Sequence, residues 1–252
     1  LEIDSHTADA GLDTRIEAFL DIVESFRRDV PPPPAPRPPR RYRVDNSVRP
    51  PAGEDTRSAE RLSLRDPRVT FVWPSMGDLA GPALAAATRK QGVHVESLPV
   101  PTARSTQLAR NVASGKECIP ALLVLGSVLE FIGSRTPRRP DEALVVAIPS
   151  TLGPCRTGQY HVFYDRLFDE LGLDNVALLV SGDESSYGEL GQDFTRDLWR
   201  AILLSDHFTD ARTGIRLCAR DVGEGLAVFE RAWQGVVDAL ERGAGELAAA
   251  LE

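Results

Sequence analysis

The run Ala143-Leu-Val-Val-Ala-Ile148 decides the fold class, because a short apolar run of this kind is typical of a buried strand. Val69-Thr-Phe-Val-Trp73 has the same character. Two more strands are predicted at Val93–Leu98 and Val176–Val180. Helical patterns separate the four runs, and this alternation is typical of βαβ units. The sequence therefore predicts an α/β fold built on a parallel sheet with flanking helices.

Apolar residues spaced three and four apart predict the helices between and after these strands. The predicted helices are Leu79–Gln91, Ser105–Ser114, Ile119–Ser134, Gly158–Leu171, Phe194–His207 and Gly225–Leu251. In the last of these, the core spacing is carried by Leu226, Phe229, Trp233, Val236 and Leu240.

The N-terminal quarter of the chain has a different character, which divides the sequence into three parts. Residues 1–30 predict an amphipathic helix that begins with a capping-box pattern at Thr14 and Glu17 and places its apolar side on a neighbour. Residues 31–66 are rich in proline and arginine and predict a semi-rigid linker, with a ligand for an aromatic-lined groove as the alternative. Residues 67–252 form the predicted α/β domain with its C-terminal helices.

Composition narrows the class of function. The formal net charge is -8, with 42% hydrophobic and 26% charged residues, as in an ordinary globular protein. We expect no nucleic-acid partner, because binding to phosphates needs clustered positive charge and here the arginines are interspersed with acids. No apolar run approaches the roughly 18 to 20 residues of a membrane span, and no leader opens the chain. Three scattered cysteines favour a reducing cytoplasm.

Two segments place a cysteine among residues that are not typical of packing. The first is Gly115-Lys-Glu-Cys118-Ile-Pro120, and the second is Gly153-Pro-Cys155-Arg-Thr-Gly-Gln-Tyr160. Each is a loop that leads into a predicted helix, and the second follows a strand, where open α/β sheets bind ligands.

Both loops suit a bound anion or an anionic metal–sulfur cluster. A helix N-terminus carries unpaired N–H groups and about half a positive charge, which stabilise a thiolate. Lys116 and Arg156 add full positive charges beside Cys118 and Cys155. The neighbouring glycines let the backbone approach a large ligand closely.

Other roles stay open for the cysteines and histidines. A free cysteine is commonly a small buried hydrophobe, which is the alternative for Cys118 and Cys155. Cys218 lacks loop chemistry and is interpreted as a packing residue, with a weak third ligand as the alternative. Zinc is disfavoured, because no close pair of cysteines or histidines is present. His94 and His161 are interpreted as satisfied structural groups, although His161 follows Cys155 closely enough to lie near the site.

At these two loops the sequence resembles the 2-hydroxyacyl-CoA dehydratase (component D, beta-subunit-like) superfamily. It is most similar to the dehydratase-like part of acyl-CoA dehydratase activase-related proteins. The resemblance is carried by Ser114-Gly-Lys-Glu-Cys118-Ile-Pro120 and Gly153-Pro-Cys155-Arg-Thr-Gly-Gln-Tyr160, supported by Pro74-Ser-Met-Gly77, and spans roughly residues 69–216.

The resemblance implies a Rossmann-like parallel sheet that holds an iron–sulfur cluster, typically [4Fe-4S], on cysteine thiolates. In such dehydratases an ATP-dependent activator protein supplies one electron, and the cluster passes it to an acyl-CoA thioester for radical removal of a hydroxyl group. The matching positions make Cys118 and Cys155 cluster ligands. The residues expected around the cluster are Lys116, Glu117, Arg156, Gln159 and Tyr160.

The sequence departs from the family pattern in two ways. A third ligand cysteine is expected outside the two loops, and no activator ATPase domain is present. The chain is therefore expected either to be one piece of a larger protein, with an activator or other partners in trans, or to bind its cluster with help from a second subunit. Two alternatives remain: a non-catalytic scaffold that docks a partner through the N-terminal helix and proline arm, and a thiol-dependent enzyme with Cys155 as nucleophile.

Overall fold

A parallel sheet with helices on both faces organises the unit Pro38–Glu252. The computed structural model describes residues 16–17, 19–21, 23–24, 41–44, 60–151, 154–181 and 190–243. The strands are β1 Tyr42–Val44, β2 Glu60–Leu62, β3 Val69–Trp73, β4 Val95–Ser97, β5 Ala143–Pro149 and β6 Val176–Ser181. The helices of this unit are α1 Ala80–Arg89, α2 Ala103–Val112, α3 Ile119–Ser134, α4 Tyr160–Glu170, α5 Gly191–Cys218 and α6 Val222–Arg242.

The four predicted strands form one sheet in the order β4-β3-β5-β6, and every neighbouring pair is parallel. All residues of β3 are buried, as is β5 except at Pro149, because helices cover both faces of the sheet. Alternate residues enter two separate cores. Phe71 and Val145 face the core that includes α1, α5 and α6 residues, whereas Val72 and Val146 face the core formed with α2, α3 and α4.

The order of the strands across the sheet reverses between β3 and β5. Strand β4 pairs with one edge of β3, and the chain then returns to add β5 and β6 at the other edge of β3. This strand order creates a switch point at the carboxyl ends of β3 and β5, which is where open α/β sheets bind ligands. The predicted Rossmann-like α/β fold is therefore confirmed, and the switch point fixes where a site should be sought.

Two short strands lie inside the segment predicted to be a linker. β1 and β2 pair in parallel, and Tyr42, Val44 and Leu62 are buried in the core that includes residues of α1, α5 and α6. The backbone amide of Arg41 also donates to the carbonyl of Asp174, just before β6. The linker prediction is thus wrong for residues 41–44 and 60–66, because a few alternating apolar side chains suffice to attach this polar segment to the sheet. The predicted linker's other residues, 31–40 and 45–59, lie outside the described part.

The helix boundaries also differ from the predictions in one informative place. Helix α5 runs on to Cys218 rather than ending at His207, although the added segment contains Gly214 and several polar residues. Phe208 and Ile215 in that segment pack against the core, and this tertiary contact outweighs weak local helix propensity. Helix α6 occupies Val222–Arg242. The predicted helix extends to Leu251, but residues 244–251 lie outside the described part of the chain.

The N-terminal unit, Leu1–Arg37, is described only at seven positions between 16 and 24. Each of those positions is helical, in agreement with the predicted helix. Ile16, Phe19 and Leu20 are exposed there. The capping-box residue Thr14 and the apolar residues Leu12 and Phe26 lie outside the described positions. In the whole described part of the chain, no helix is both long enough and apolar enough to cross a membrane.

Helices α2 and α3 form a tightly packed hairpin that holds the first cysteine loop. A side-chain carbon at Gly126 would overlap the carbonyl oxygen of Ser105, so only glycine lets the two backbones come this close. On the same helix pair, the carboxylate of Glu130 accepts hydrogen bonds from Thr102 and Ser105. The α2–α3 contact thus depends on a residue with no side chain.

We expect Gly126→Ala to lower the free energy of unfolding by about 1 to 3 kcal/mol, since overpacking forces the helices apart. Gly133→Ala is the matched control, because nothing lies near that position on the same helix. The control should raise stability by less than about 1 kcal/mol through helix propensity. Urea unfolding followed by circular dichroism measures both, and equal stabilities of the two variants would contradict the packing account.

Candidate functional site at the carboxyl edge of the sheet

The first cysteine loop is closed by its own glutamate. Glu117 accepts hydrogen bonds from the amide and hydroxyl of Ser114 and from the amide of Gly115. Gly115 adopts a φ of 84°, a left-handed conformation that favours glycine. Burial raises the pKa of Glu117, but these hydrogen bonds outweigh burial and lower it overall. Glu117 therefore shapes the loop and holds its charge toward the loop backbone.

This loop places Cys118 at the start of α3. Cys118 is the N-cap residue and is half-buried, and Pro120 occupies the first turn, where a missing amide hydrogen costs nothing. Cys118 therefore precedes the positive end of a 16-residue helix, although its side chain makes no capping hydrogen bond to the helix amides.

The second cysteine loop follows β5 and enters α4 through a short 3₁₀ turn at Arg156–Gln159. Cys155 is exposed, and its Sγ lies 3.1 Å from Oγ1 of Thr157. Hydrogen bonds from the Thr157 side chain and then its backbone amide lower the pKa of the Cys155 thiol. A side-chain carbon at Gly158 would overlap the carbonyl oxygen of Thr151, so glycine is required for the turn to cross the end of β5.

Two hydrogen bonds connect the two loops, and a third connects the helices that follow them, although the partners are separated by about 40 residues in sequence. The hydroxyl of Tyr160 lies 2.8 Å from Sγ of Cys118. The hydroxyl of Tyr164 donates to the carbonyl of Ala121 at 2.6 Å. The guanidinium of Arg156 donates to the carbonyl of Lys116 at 2.9 Å. The N-termini of α3 and α4 are therefore joined at the carboxyl edge of the sheet.

Both thiols act on the same tyrosine. Burial raises the pKa of Tyr160, and the hydrogen bond with Cys118 raises it further. The charges of Cys118 and Cys155 act in the same direction, while a hydrogen bond with Thr157 opposes them. Of the two sulfurs, that of Cys118 is in direct contact with the Tyr160 hydroxyl.

A pocket of about 560 Å³ opens beside this junction. Six of the seven predicted site residues line it, namely Lys116, Glu117, Cys118, Arg156, Gln159 and Tyr160. The seventh, Cys155, is not among the lining residues. The rest of the wall comes from Ala121, Val162, Phe163 and Arg166, which sequence reasoning missed. Val162 is 58% exposed in the structure, and the sequence of α4 gave no signal that marks it as a pocket residue.

The described residues provide two thiols here and no complete metal site. Among them, no group of three or more His, Cys, Asp or Glu side chains is placed to hold one metal ion. Cys218 ends α5, a helix that packs on the opposite face of the sheet from α3 and α4, and its side chain is exposed. The interpretation of Cys218 as a packing residue is therefore wrong, and its helix gives it no contact with the cysteine loops.

The prediction of a satisfied structural group is wrong for His161. His94 lies on the surface just before β4. The Nδ1 atom of His161 is buried with no hydrogen-bond partner in the described part of the chain, and burial lowers the pKa of this imidazole. His161 follows Tyr160 in the chain, but it does not line the pocket described above.

No protein-family model, no curated protein and no solved structure matches this chain significantly.

We expect Thr157→Val to raise the pKa of the Cys155 thiol toward the ordinary value of 9.0, because the variant loses the stronger of the two hydrogen bonds to sulfur. Alkylation of Cys155 by iodoacetamide in metal-free protein, followed by mass spectrometry across a pH series, should show its midpoint at higher pH. Thr213→Val, an exposed threonine on α5, serves as the control and should leave the midpoint unchanged. A midpoint that does not move in Thr157→Val would show that Thr157 does not stabilise the thiolate.

Proposed function

We propose that this chain is an iron–sulfur redox protein of the 2-hydroxyacyl-CoA dehydratase type, with Cys118 and Cys155 as ligands of a cluster, typically [4Fe-4S]. The observation that carries the proposal is the junction of the two cysteine loops through Tyr160 and Cys118. Two cysteines distant in sequence share one edge of a Rossmann-like sheet, where the strand order predicts a ligand site.

The residues at the junction fit part of a cluster's coordination sphere. Cys118 and Cys155 supply two thiolates, and the lowered pKa of Cys155 favours the form that binds metal. The remaining ligands would come from outside the described residues, from a second chain or from a small molecule. When bound, the cluster would take up and deliver single electrons.

The groups around the thiols support a negatively charged cofactor. Arg156 lies next to Cys155 and holds the loop of Cys118 through the Lys116 carbonyl. Hydrogen bonds and positive charge near cluster sulfurs are established means of shifting a cluster's potential. In this role Arg156 both joins the loops and stabilises the reduced, more negative state, while the Tyr160 hydroxyl offers a hydrogen bond to the Cys118 sulfur.

The proposed reaction also requires partners. We propose that an ATP-dependent activator in the cytoplasm supplies the electron and that an acyl-CoA or similar small molecule receives it in a lyase or reductase reaction. The exposure of Cys155 supports this arrangement, because an electron donor must approach the cluster closely.

We expect protein reconstituted with iron and sulfide under anaerobic conditions to be brown, and Cys118→Ala and Cys155→Ala each to lose most of the bound iron. Cys218→Ala is the matched control, because Cys218 is also a free exposed cysteine but lies at the end of α5. Iron and acid-labile sulfide are measured together on each variant. Equal iron in all three variants, or none in the parent chain, would overturn the proposal.

A second candidate is a non-catalytic subunit that docks a partner through its N-terminal segment. Its supporting observation is the exposure of Ile16, Phe19 and Leu20 on helical residues. Deleting residues 1–66 would also remove β1 and β2, so the test deletes residues 1–37 only. Loss of partner binding with retained iron would support docking through this segment, whereas partner binding that survives the deletion would argue against it.

A further inference from the structure

The pocket beside Cys118 carries a mixture of charge and apolar surface that neither a cluster nor packing requires. Three of its lining residues, Lys116, Arg156 and Arg166, are cationic, and Glu117 is the acidic one. The carboxylate of Glu117 is occupied by three donors of its own loop. The cations therefore dominate the field inside the pocket.

Two of the cations have capacity left for a ligand. The ammonium group of Lys116 forms no ion pair with any described residue. Arg156 uses a single N–H group, toward the Lys116 carbonyl, and its remaining donors are unused among the described residues. Arg166 contributes less, because its guanidinium pairs with Glu170 at 2.8 Å on the surface. The Arg156 guanidinium lies on the backbone of Lys116, and a planar guanidinium matches the geometry of a carboxylate.

Apolar residues form another part of the pocket lining. Val162 is 58% exposed, and it lies beside the half-buried Phe163 and the buried Ala121. An aliphatic side chain that is exposed next to a concave surface loses its contact with water when an apolar group covers it. The volume of about 560 Å³ falls within the range of small-molecule sites.

From this juxtaposition we infer that the pocket binds a free organic acid with an apolar body, whose carboxylate lies on Arg156 and Lys116 and whose hydrocarbon part covers Val162 and Phe163. This binding site for a free acid goes beyond the proposed function, whose electron acceptor is an acyl-CoA or similar molecule. As a binding site, it rests only on the residues of the pocket.

The test measures binding to the anaerobically reconstituted full-length chain by isothermal titration calorimetry. The probes are 3-phenylpropionate, its uncharged amide 3-phenylpropionamide, and inorganic phosphate. We expect the acid to bind at least about tenfold more tightly than the amide, because the uncharged amide cannot form the charge-assisted hydrogen bond of the carboxylate. Binding of the amide as tight as that of the acid, or of phosphate as tight as that of the acid, would overturn the inference.

Two pairs of variants test separately how the cationic and the apolar residues of the pocket contribute to binding. Arg156→Gln should weaken binding of the acid about tenfold, whereas Arg231→Gln, an exposed arginine on α6, should leave it unchanged. Val162→Ser should weaken it about fivefold, whereas Val228→Ser, at a similarly exposed valine, should not. Because Val162 is exposed, its variant tests the site even if Arg156→Gln disturbs the loop. Equal affinities within either pair would contradict the inference.

Iron content measured on the same samples separates the two proposals. Binding of the acid to protein that takes up no iron would remove the redox proposal and leave the pocket as a binding site. Iron uptake without binding of the acid would remove the pocket inference alone.

Discussion

One buried hydrogen bond underlies the whole site: the hydroxyl of Tyr164 donates to the carbonyl of Ala121. Tyr164 is only 1% exposed, and burial raises its pKa strongly, so the hydroxyl keeps its proton and remains a donor. A buried hydroxyl left without a partner costs about 1 to 3 kcal/mol, which favours this one pairing of α4 with the first turn of α3. Since each cysteine precedes one of these helices, the bond sets the separation of the two loops.

The parallel sheet explains why the two helices begin at the same edge. In a parallel sheet every connecting helix that leads into the next strand runs against the strands, so α3 and α4 both start above the carboxyl ends. Their positive N-terminal ends therefore point into the same region, which also contains the thiols. The charges of Lys116 and Arg156 make this region more positive. A site for negatively charged sulfur or carboxylate groups follows from the topology together with four side chains.

Much of this arrangement was predictable from the sequence, because the relevant signals are local. The apolar runs predict all four strands of the main sheet, and the two cysteine loops predict where unusual chemistry is concentrated. Contacts between distant segments were not predictable in the same way. The side chains of Tyr42, Val44 and Leu62 attach a proline-rich segment to the core, and only the folded chain brings them there.

The errors in the predicted site have the same origin. Cys218 has a sequence neighbourhood typical of a packed helix, yet the orientation of α5 leaves its side chain exposed. Val162 and Arg166 have the spacing of an ordinary solvent-facing helical surface. They become pocket residues only because α3 lies beside α4, which no pattern within α4 records.

The most direct test of the central claim is anomalous diffraction at the iron edge from crystals of the anaerobically reconstituted chain. The account predicts an iron peak bonded to Sγ of Cys118 and Sγ of Cys155 at the carboxyl edge of the sheet. An iron peak bonded to neither sulfur, or the two sulfurs ordered without iron in protein that was brown before crystallisation, would contradict it.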